Sequence, residues 1–323
     1  MNSLHAKPRR RVIAALTLAA CGAMAPLAAQ ADEFINILTG GTSGVYYPLG
    51  VALGKIYGEK IAGARTQVQS TKASVENLNL LQAGRGEIAL ALGDSVKAAW
   101  EGNAEVGFSK KLDKLRGIAA VYPNVIQIVA SQSSGIKSFA DLKGKSLSVG
   151  AAKSGTEVNA RAIFESMGMS YKDLGKTEYL PFGESVDLIK NRQLDATLQS
   201  AGLGVASIRD LASSIPINMV SVPKDVATKL GAPFVATTIP ANTYAGQTAE
   251  VPTVAVMNFL VTHSGVSDET AYQMTKQLFE NLGQMVAAHK AASAIKLETA
   301  TTGMPVPLHP GAERFYREKG LIK

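Results

Sequence analysis

A glycine- and hydroxyl-rich stretch, Thr39–Pro48, carries the residue types that most directly indicate ligand chemistry. It reads Thr-Gly-Gly-Thr-Ser-Gly-Val-Tyr-Tyr-Pro and follows the apolar run Phe34–Leu38. Glycines let the backbone approach a ligand closely, and free N–H groups at a helix start favour a small anion. The stretch also offers hydroxyls and phenols, which are Thr42, Ser43, Tyr46 and Tyr47. An ordinary strand–helix turn without a ligand is the alternative that this stretch leaves open.

A second hydroxyl-rich helix start lies at Ser154-Gly155-Thr156-Glu157. Its spacing is that of a capping box, in which Ser154 accepts from the third helical N–H group and Glu157 reaches back to the cap. Lys153 is adjacent. This segment can present free N–H groups and hydroxyls to an anion, or can simply cap its helix.

Two pairs of segments recur at the same offset. Ser43-Gly44 and Ser154-Gly155 each follow a strand-like run, and 154 minus 43 is 111. Ser74-Val75-Glu76 and Ser185-Val186-Asp187 each open a predicted helix, and 185 minus 74 is also 111. The recurrence predicts two similar α/β lobes whose helix starts face each other across a cleft, because ligands of open α/β sheets lie beyond the carboxyl ends of the strands.

Two further predicted helix starts carry polar residues. Thr71, Ala73 and Asn77 flank the start of the second helix, and Asp94 opens the third. Each is explained by capping alone. A functional role depends on all these helix starts converging on one place.

Hydrolytic and metal chemistry have little support in the sequence. After the leader there are three histidines, His263, His289 and His309, and there is no Gly-x-Ser-x-Gly, His-x-x-x-His or Cys-x-x-Cys motif. Surface or capping roles are expected for the histidines. We therefore expect no enzyme activity, no metal and no cofactor, with an exported enzyme or a sensor-input binding protein kept as the alternative.

The elements that must position these residues alternate between strand and helix, which predicts an α/β fold with mostly parallel sheets. Leu115–Val121 and Val125–Ser131 are predicted as two strands separated by Tyr122-Pro123-Asn124. Val251–Val261 is predicted as a central strand, and Asp268–His289 as one long amphipathic helix.

The first 31 residues have the pattern of a secretory signal peptide. A basic start precedes an apolar run, and Ala29-Gln30-Ala31 is a small-x-small cleavage site, so cleavage after Ala31 and a periplasmic location are expected. A lipobox ending at Cys21 leaves a lipoprotein as the alternative, and the arginine run loosely resembles a twin-arginine signal. Without the leader's four basic residues, 29 basic face 26 acidic residues, and the net charge falls from +7 to +3. No basic, aromatic-rich face for nucleic acid is present.

Over nearly all of the chain after the leader, the sequence resembles the TAXI solute receptors, the extracytoplasmic receptors associated with TRAP transporters. The segments that carry the resemblance are Thr39–Pro48, Tyr122-Pro123, Asp141–Lys145, Ser148–Gly150, Ser154–Thr156, Val251–Ala255 and Pro305–Glu313. Thr39–Pro48 and Pro305–Glu313 are specific when they occur together.

The resemblance implies a type II periplasmic-binding-protein fold, in which two α/β lobes joined by crossing hinge strands close on a ligand. It implies lobe 1 at residues 32–122 and 241–323, lobe 2 at residues 123–240, and hinges near Tyr122–Asn124 and Ile239–Asn242. The implied ligand is glutamate, glutamine, 2-oxoglutarate or a similar small carboxylate, delivered by a monomer to a membrane TRAP permease. The implied ligand contacts are Gly41, Thr42, Ser43, Tyr46, Thr71, Ala73, Asp94, Tyr122, Ser154, Gly155 and Thr156.

Two departures accompany the resemblance. Gly93 stands before Asp94, where many relatives have a longer polar side chain, and this could enlarge the pocket or change ligand preference. No arginine stands in the ligand loops to clamp a carboxylate in a bidentate manner. Recognition would then depend on backbone N–H groups, hydroxyls and helix dipoles, with Lys72 and Lys153 nearby.

Overall fold

The computed structural model describes residues 33–323, so the predicted signal peptide, its cleavage after Ala31 and the lipobox at Cys21 lie outside the described residues. The described part forms ten strands and ten α-helices, joined by short 3₁₀ turns. The strands are β1 (Glu33–Leu38), β2 (Ala64–Gln69), β3 (Ile88–Leu92), β4 (Leu115–Ser131), β5 (Ser146–Ser148), β6 (Lys176–Glu178), β7 (Ala196–Ala201), β8 (Ile217–Val220), β9 (Phe234–Ile239) and β10 (Val251–His263). The helices are α1 (Tyr46–Lys60), α2 (Ser74–Gln82), α3 (Gly93–Glu101), α4 (Gly155–Ser166), α5 (Phe182–Lys190), α6 (Ala206–Ser214), α7 (Asp225–Leu230), α8 (Asp268–Glu280), α9 (Leu282–Ala288) and α10 (Pro310–Glu318).

The strands pair in the order β2-β1-β3-β10-β4-β7-β5-β6, with β8 on β4 and β9 on β10. Two βα units of the same plan flank the centre. In the first βα unit (β1, α1, β2, α2, β3), β1 pairs in parallel with both β2 and β3. In the second βα unit (β5, α4, β6, α5, β7), β5 pairs in parallel with both β6 and β7. The equal sequence offsets therefore correspond to equal topologies.

The predicted mostly parallel arrangement is wrong at the centre of the sheet. β10 is antiparallel to β3, β4 and β9, and β4 is antiparallel to β7 and β8. Both strands are long, and each contacts strands on both sides of the molecule. They join the two βα units into one sheet.

β4 is one strand of 17 residues, not the two strands predicted on either side of Tyr122-Pro123-Asn124. Pro123 lies opposite Met257 where the pairing with β10 shifts register. A proline has no N–H group to give to the ladder, and an irregular register needs none at that point. The extended backbone therefore continues through the proline.

The helix predicted over Asp268–His289 is divided at Asn281 into α8 and α9. Asn281 has a non-helical backbone, with φ −126° and ψ 27°, and its side-chain amide donates to the Gln277 carbonyl. The apolar spacing continues across the break, since Leu278 and Met285 are both buried in the same core. Spacing alone therefore could not reveal the division.

β10 contributes to the apolar cores on both sides of the molecule. Val254 packs with the core of the second βα unit, and Phe259 packs with the core beneath α2 and α3. The predicted lobe boundary at residues 240/241 falls in the connection between β9 and β10, ahead of this shared strand. Among the helices of residues 33–323, none has the length and apolar character needed to cross a membrane.

Candidate functional site

A cavity of about 350 Å³ lies at the carboxyl ends of strands from both βα units. β1, β2 and β3 lead into it from the first unit, and β5, β6 and β7 lead into it from the second. This is where ligands of α/β sheets bind. The structure brings ten of the eleven sequence-predicted residues to its wall, namely Gly41, Thr42, Ser43, Tyr46, Thr71, Ala73, Tyr122, Ser154, Gly155 and Thr156.

The loop before α1 presents backbone donors to the cavity. The N–H groups of Gly41, Thr42 and Ser43 have no acceptor among residues 33–323, whereas the Gly44 N–H donates to the Gly41 carbonyl at 3.0 Å. Neither the Thr42 nor the Ser43 hydroxyl has a partner in the same part of the chain. The dipole of α1 adds a positive potential at its start. The loop can therefore hold an anion with neutral groups.

The start of α2 is held by the Thr71 hydroxyl. It lies 2.6 Å from Asn77 Oδ1 and 2.9 Å from the Thr39 carbonyl, and it accepts from the Ala73 N–H at 3.0 Å. Ala73, the residue before α2, has φ 72° and ψ −147°, a conformation that costs a non-glycine residue about 1–3 kcal/mol. The hydroxyl thus holds a strained turn at the cavity wall.

The start of α4 is capped from one side only. The Ser154 hydroxyl accepts from the Glu157 N–H at 3.1 Å, as the capping-box spacing predicts. The Glu157 carboxylate does not return to the cap. It accepts from the Arg161 guanidinium at 2.8 Å instead, because a charged partner one turn along the helix competes with a neutral N–H group. The Gly155 and Thr156 N–H groups have no described acceptor.

α4 begins in direct contact with the first βα unit. A Cβ atom on Gly155 would lie 2.5 Å from Leu92 Cδ1 and 2.6 Å from Ser74 Oγ, so only glycine fits there. The Glu76 N–H donates to the Lys153 carbonyl at 3.3 Å across the same contact. The two halves of the cavity wall are therefore closed on each other at this edge.

A chain of hydrogen bonds runs beneath the cavity. The Tyr46 hydroxyl donates to Asn258 Oδ1, and Asn258 Nδ2 donates to Asn124 Oδ1 at 2.8 Å. Asn124 Nδ2 then donates to the Ser200 carbonyl at 2.7 Å. The chain joins α1, β10, β4 and β7. Burial raises the pKa of the Tyr46 phenol, which is therefore a neutral donor.

Two buried hydroxyls in the cavity wall lack a partner within residues 33–323. Tyr122 is 1% exposed and Ser200 is 4% exposed, and neither hydroxyl meets a protein donor or acceptor. Burial raises the pKa of the Tyr122 phenol as well, so its proton is retained. Both oxygen atoms are enclosed by the protein, so neither offers a hydrogen bond at the open surface of the cavity.

Asp94 is the predicted site residue that the structure does not place on the cavity wall. Its Oδ2 atom accepts from Asn159 Nδ2 of α4 at 2.6 Å, and its Oδ1 atom is buried without a described partner. Burial raises the pKa of this carboxyl to about 6. Asp94 therefore joins α3 to α4 behind the cavity.

Gly93 does not enlarge the cavity. A Cβ atom at this position would lie 2.8 Å from the Phe259 ring and 3.2 Å from the Met257 carbonyl oxygen, and Gly93 is not part of the cavity wall. The absence of a side chain here is explained by the close approach of β10 to α3.

The three histidines have the local capping geometry that the sequence indicates. In each, Nδ1 accepts from the backbone N–H two residues further on, at 3.1–3.2 Å. His289 and His309 do this at helix starts, and His263 does it in the turn after β10. None of the three lines the cavity.

Sequence reasoning missed several residues at the site. Asn124, Ser200 and Phe182 line the cavity, and Asn258 supports its floor. Asn124 and Asn258 are polar residues inside apolar strand runs, and this is a signal that could have indicated them. Ser200 and Phe182 have no local signal, because their position depends on how the two βα units meet.

Comparisons with known proteins identify the fold. A model of the NMT1-like family matches residues 37–320. MatC from Rhodopseudomonas palustris, solved with bound malate, matches with a TM-score of 0.58 at 10% identity, covering 90% of this chain and 99% of that chain.

Two more solved structures match the fold of this chain. The periplasmic binding protein BugD gives a TM-score of 0.56 at 12% identity, covering 90% of this chain and 94% of that one. A putative L-cystine ABC transporter protein from Listeria monocytogenes gives 0.52 at 14% identity, covering 82% and 98%. These matches confirm the predicted periplasmic-binding-protein fold with its α/β architecture.

Proposed function

The chain belongs to the NMT1-like family, and we propose that it is a periplasmic solute receptor that captures a small organic anion by closure of two lobes. The fold is that of periplasmic binding proteins, and MatC binds malate in its solved structure. The resemblance to the TAXI solute receptors suggests the candidate ligands, which are glutamate, glutamine, 2-oxoglutarate and similar carboxylates.

One observation carries this proposal. The starts of α1, α2, α4 and α5, from both βα units, meet at one cavity whose wall holds unpartnered N–H groups and the Thr42 and Ser43 hydroxyls. Helix dipoles and neutral donors together stabilise a carboxylate without a side-chain cation. Since the donors come from both sides, a bound anion favours the closed arrangement over an open one.

In this proposal the protein is the receptor of a membrane transport system. The receptor would deliver its ligand, as a monomer, to the membrane subunits of a TRAP-type permease. Export by a signal peptide cleaved after Ala31 would place it in the periplasm. The lobes proposed are residues 32–122 with 241–323 and residues 123–240, turning about the central strands β4 and β10. Ligand contacts are proposed for the ten predicted residues on the cavity wall, with Asp94 acting in closure instead.

A thermal-shift screen of carboxylates and amino acids tests the ligand class. A ligand that binds only the folded chain at about 100 times its Kd adds about 2.7 kcal/mol to the free energy of unfolding, which raises Tm. We expect at least one small carboxylate to raise Tm, and its methyl ester to raise it much less. A panel in which no carboxylate raises Tm contradicts the proposal, and turnover of the bound compound would indicate an enzyme.

Substitutions from both sides of the cavity test the site itself. Ser43→Ala and Thr156→Ala each remove a hydroxyl from the wall, and we expect each to raise the Kd of the carboxylate from the screen about tenfold. Calorimetry measures the Kd, and the Tm of the ligand-free variants should equal that of the parent.

Matched controls lie on the surface away from the cavity. Ser109 and Thr248 are exposed, so Ser109→Ala and Thr248→Ala should leave the Kd unchanged. An unchanged Kd in both cavity variants would reject the placement of the ligand.

A further inference from the structure

The wall of the cavity is nearly free of charge. Lys72 and Glu184 are the charged residues among those that line it within the described chain, and both are exposed. Their charges are opposite, and because both side chains are exposed, water screens them. Within the cavity the polar groups are uncharged, and they include backbone N–H groups, the Thr42 and Ser43 hydroxyls and the Asn124 amide.

The rest of the wall is apolar. The Phe182 ring at the start of α5 lines the cavity together with Leu92 at the end of β3. Leu92 is 2% exposed. Small apolar residues complete this surface, namely Val45, Ala73, Ala151 and Ala201.

This combination accepts one negative charge better than two. One carboxylate can take the unpartnered N–H groups of the helix starts and the Thr42 and Ser43 hydroxyls as donors. A second carboxylate in the same cavity of about 350 Å³ would repel the first at short range and would lie against the apolar surface without a cation. The water molecules that the second carboxylate loses would not be replaced by hydrogen bonds from the protein.

We propose that the ligand is a monocarboxylate with an apolar body, and that Phe182 with Leu92 selects it against dicarboxylates. The carboxylate lies against the helix starts, and the aliphatic or aromatic body lies against the Phe182 ring. This inference rests on the proposed function of a receptor for small organic anions, and within that class it disfavours the dicarboxylates glutamate and 2-oxoglutarate.

Acids matched in size separate the two classes. Hexanoate is compared with glutarate, and 4-methyl-2-oxopentanoate with 2-oxoglutarate, by calorimetry on the chain without its leader. We expect the monocarboxylate of each pair to bind about tenfold or more tightly than the dicarboxylate. Equal or tighter binding of the dicarboxylates overturns this inference and leaves the anion receptor standing. Absence of binding by all four, together with a screen in which no carboxylate raises Tm, overturns both.

Variants of Phe182 test whether the apolar wall causes the preference for monocarboxylates over dicarboxylates. Phe182→Ala removes the ring, and we expect the Kd of 4-methyl-2-oxopentanoate to rise about tenfold, whereas Phe182→Leu keeps it within about threefold. Phe182→Arg supplies a cation at the same position and should strengthen 2-oxoglutarate binding while weakening 4-methyl-2-oxopentanoate binding. Unchanged selectivity in both Phe182→Ala and Phe182→Arg, with the Tm of the ligand-free chain preserved, contradicts the role of this wall.

Discussion

Asp94 is a half-buried acid that joins α3, the helix after the first βα unit, to α4 of the second βα unit. Its Oδ2 atom accepts from Asn159 Nδ2 at 2.6 Å, while its Oδ1 atom has no partner in the described chain. Burial raises its pKa from 3.8 to about 6, against the opposing effect of backbone and Asn159 hydrogen bonds. The neutral acid is therefore the form that the folded chain stabilises through most of the mildly acidic range.

The raised pKa of Asp94 predicts that mild acid stabilises the fold through this group. Between about pH 4 and pH 6 the folded chain holds a proton that the unfolded chain releases, so the free energy of unfolding falls as pH rises. Asp94→Asn removes this dependence. We expect urea unfolding at pH 4 to 7 to show that the parent loses about 2 kcal/mol more than the variant.

Asp113→Asn is the matched control for this titration, because Asp113 is an exposed carboxylate on the loop before β4. It should preserve the pH dependence of the parent. Parallel pH profiles for the parent and Asp94→Asn would show that the Asp94 carboxyl titrates at its ordinary pKa in the folded chain.

Residues at helix starts were predictable from the sequence, whereas residues that meet across the sheet were not. Ser43, Tyr46 and Ser154 follow glycine and cap patterns that depend on a few neighbouring residues. Phe182 reaches the site because the start of α5 and the loop before α1, more than 100 residues apart along the chain, line the same cavity. No local pattern encodes such a distance.

At the scale of elements, the contact between the start of α4 and the start of α2 determines how closely the two βα units approach each other. Gly155 leaves no room for a side chain beside Ser74 and Leu92. The Lys153 carbonyl accepts from the Glu76 N–H in the same contact. Closure at this edge therefore requires a glycine.

Gly155→Ala is expected to oppose closure without disturbing either βα unit. Its Cβ atom would lie 2.5 Å from Leu92 Cδ1, which forces the two helix starts apart. We expect the Kd of the carboxylate from the screen to rise about tenfold or more, with little change in the Tm of the ligand-free chain. Calorimetry and thermal unfolding measure the two quantities.

Gly283→Ala gives the matched control, because a Cβ atom on Gly283 of α9 would meet nothing within 4 Å. It should leave the Kd unchanged, and alanine in the helix should add at most about 1 kcal/mol of stability. Equal affinities for Gly155→Ala and the parent would mean that binding does not need this contact.

The elements themselves were largely predictable, and the failures have local causes. Strand–helix alternation gave the βα units, because each strand is a short apolar run with turn residues at its ends. Pro123 was read as a break in β4, although the irregular pairing opposite Met257 tolerates it. The direction of β10 could not be predicted, since an apolar run is the same for either direction of pairing.

For the whole molecule, the long strands β4 and β10 make the two halves depend on each other. β4 pairs with β10 over residues 115–125 and with β7 over residues 125–130. Val254 and Phe259 of β10 belong to cores on opposite sides. Neither side keeps a complete sheet or core without these strands.

The shared strands predict that the chain unfolds in one transition. Trp100 of α3 is the single tryptophan, and its fluorescence reports on the core beneath α2 and α3. Circular dichroism reports on all elements. We expect urea transitions from Trp100 fluorescence and from circular dichroism to coincide in midpoint.

A second reporter completes this test. A double variant that combines Trp100→Phe with Phe234→Trp moves the single tryptophan to β9, which packs with the core of the second βα unit. Its fluorescence transition should also coincide with circular dichroism. Two midpoints separated by more than the error of the fits would show that the halves unfold independently.

The unpartnered N–H groups at the starts of α1 and α4 have a consequence for uptake through the membrane permease. Closure brings the positive ends of these helices together and takes their N–H groups away from water, so closure without an anion between them is penalised. A receptor of this kind would rarely present the closed shape unless loaded. Under the proposed function, unloaded copies would then compete poorly for the permease, and uptake would track the loaded fraction even when receptors greatly outnumber transporters.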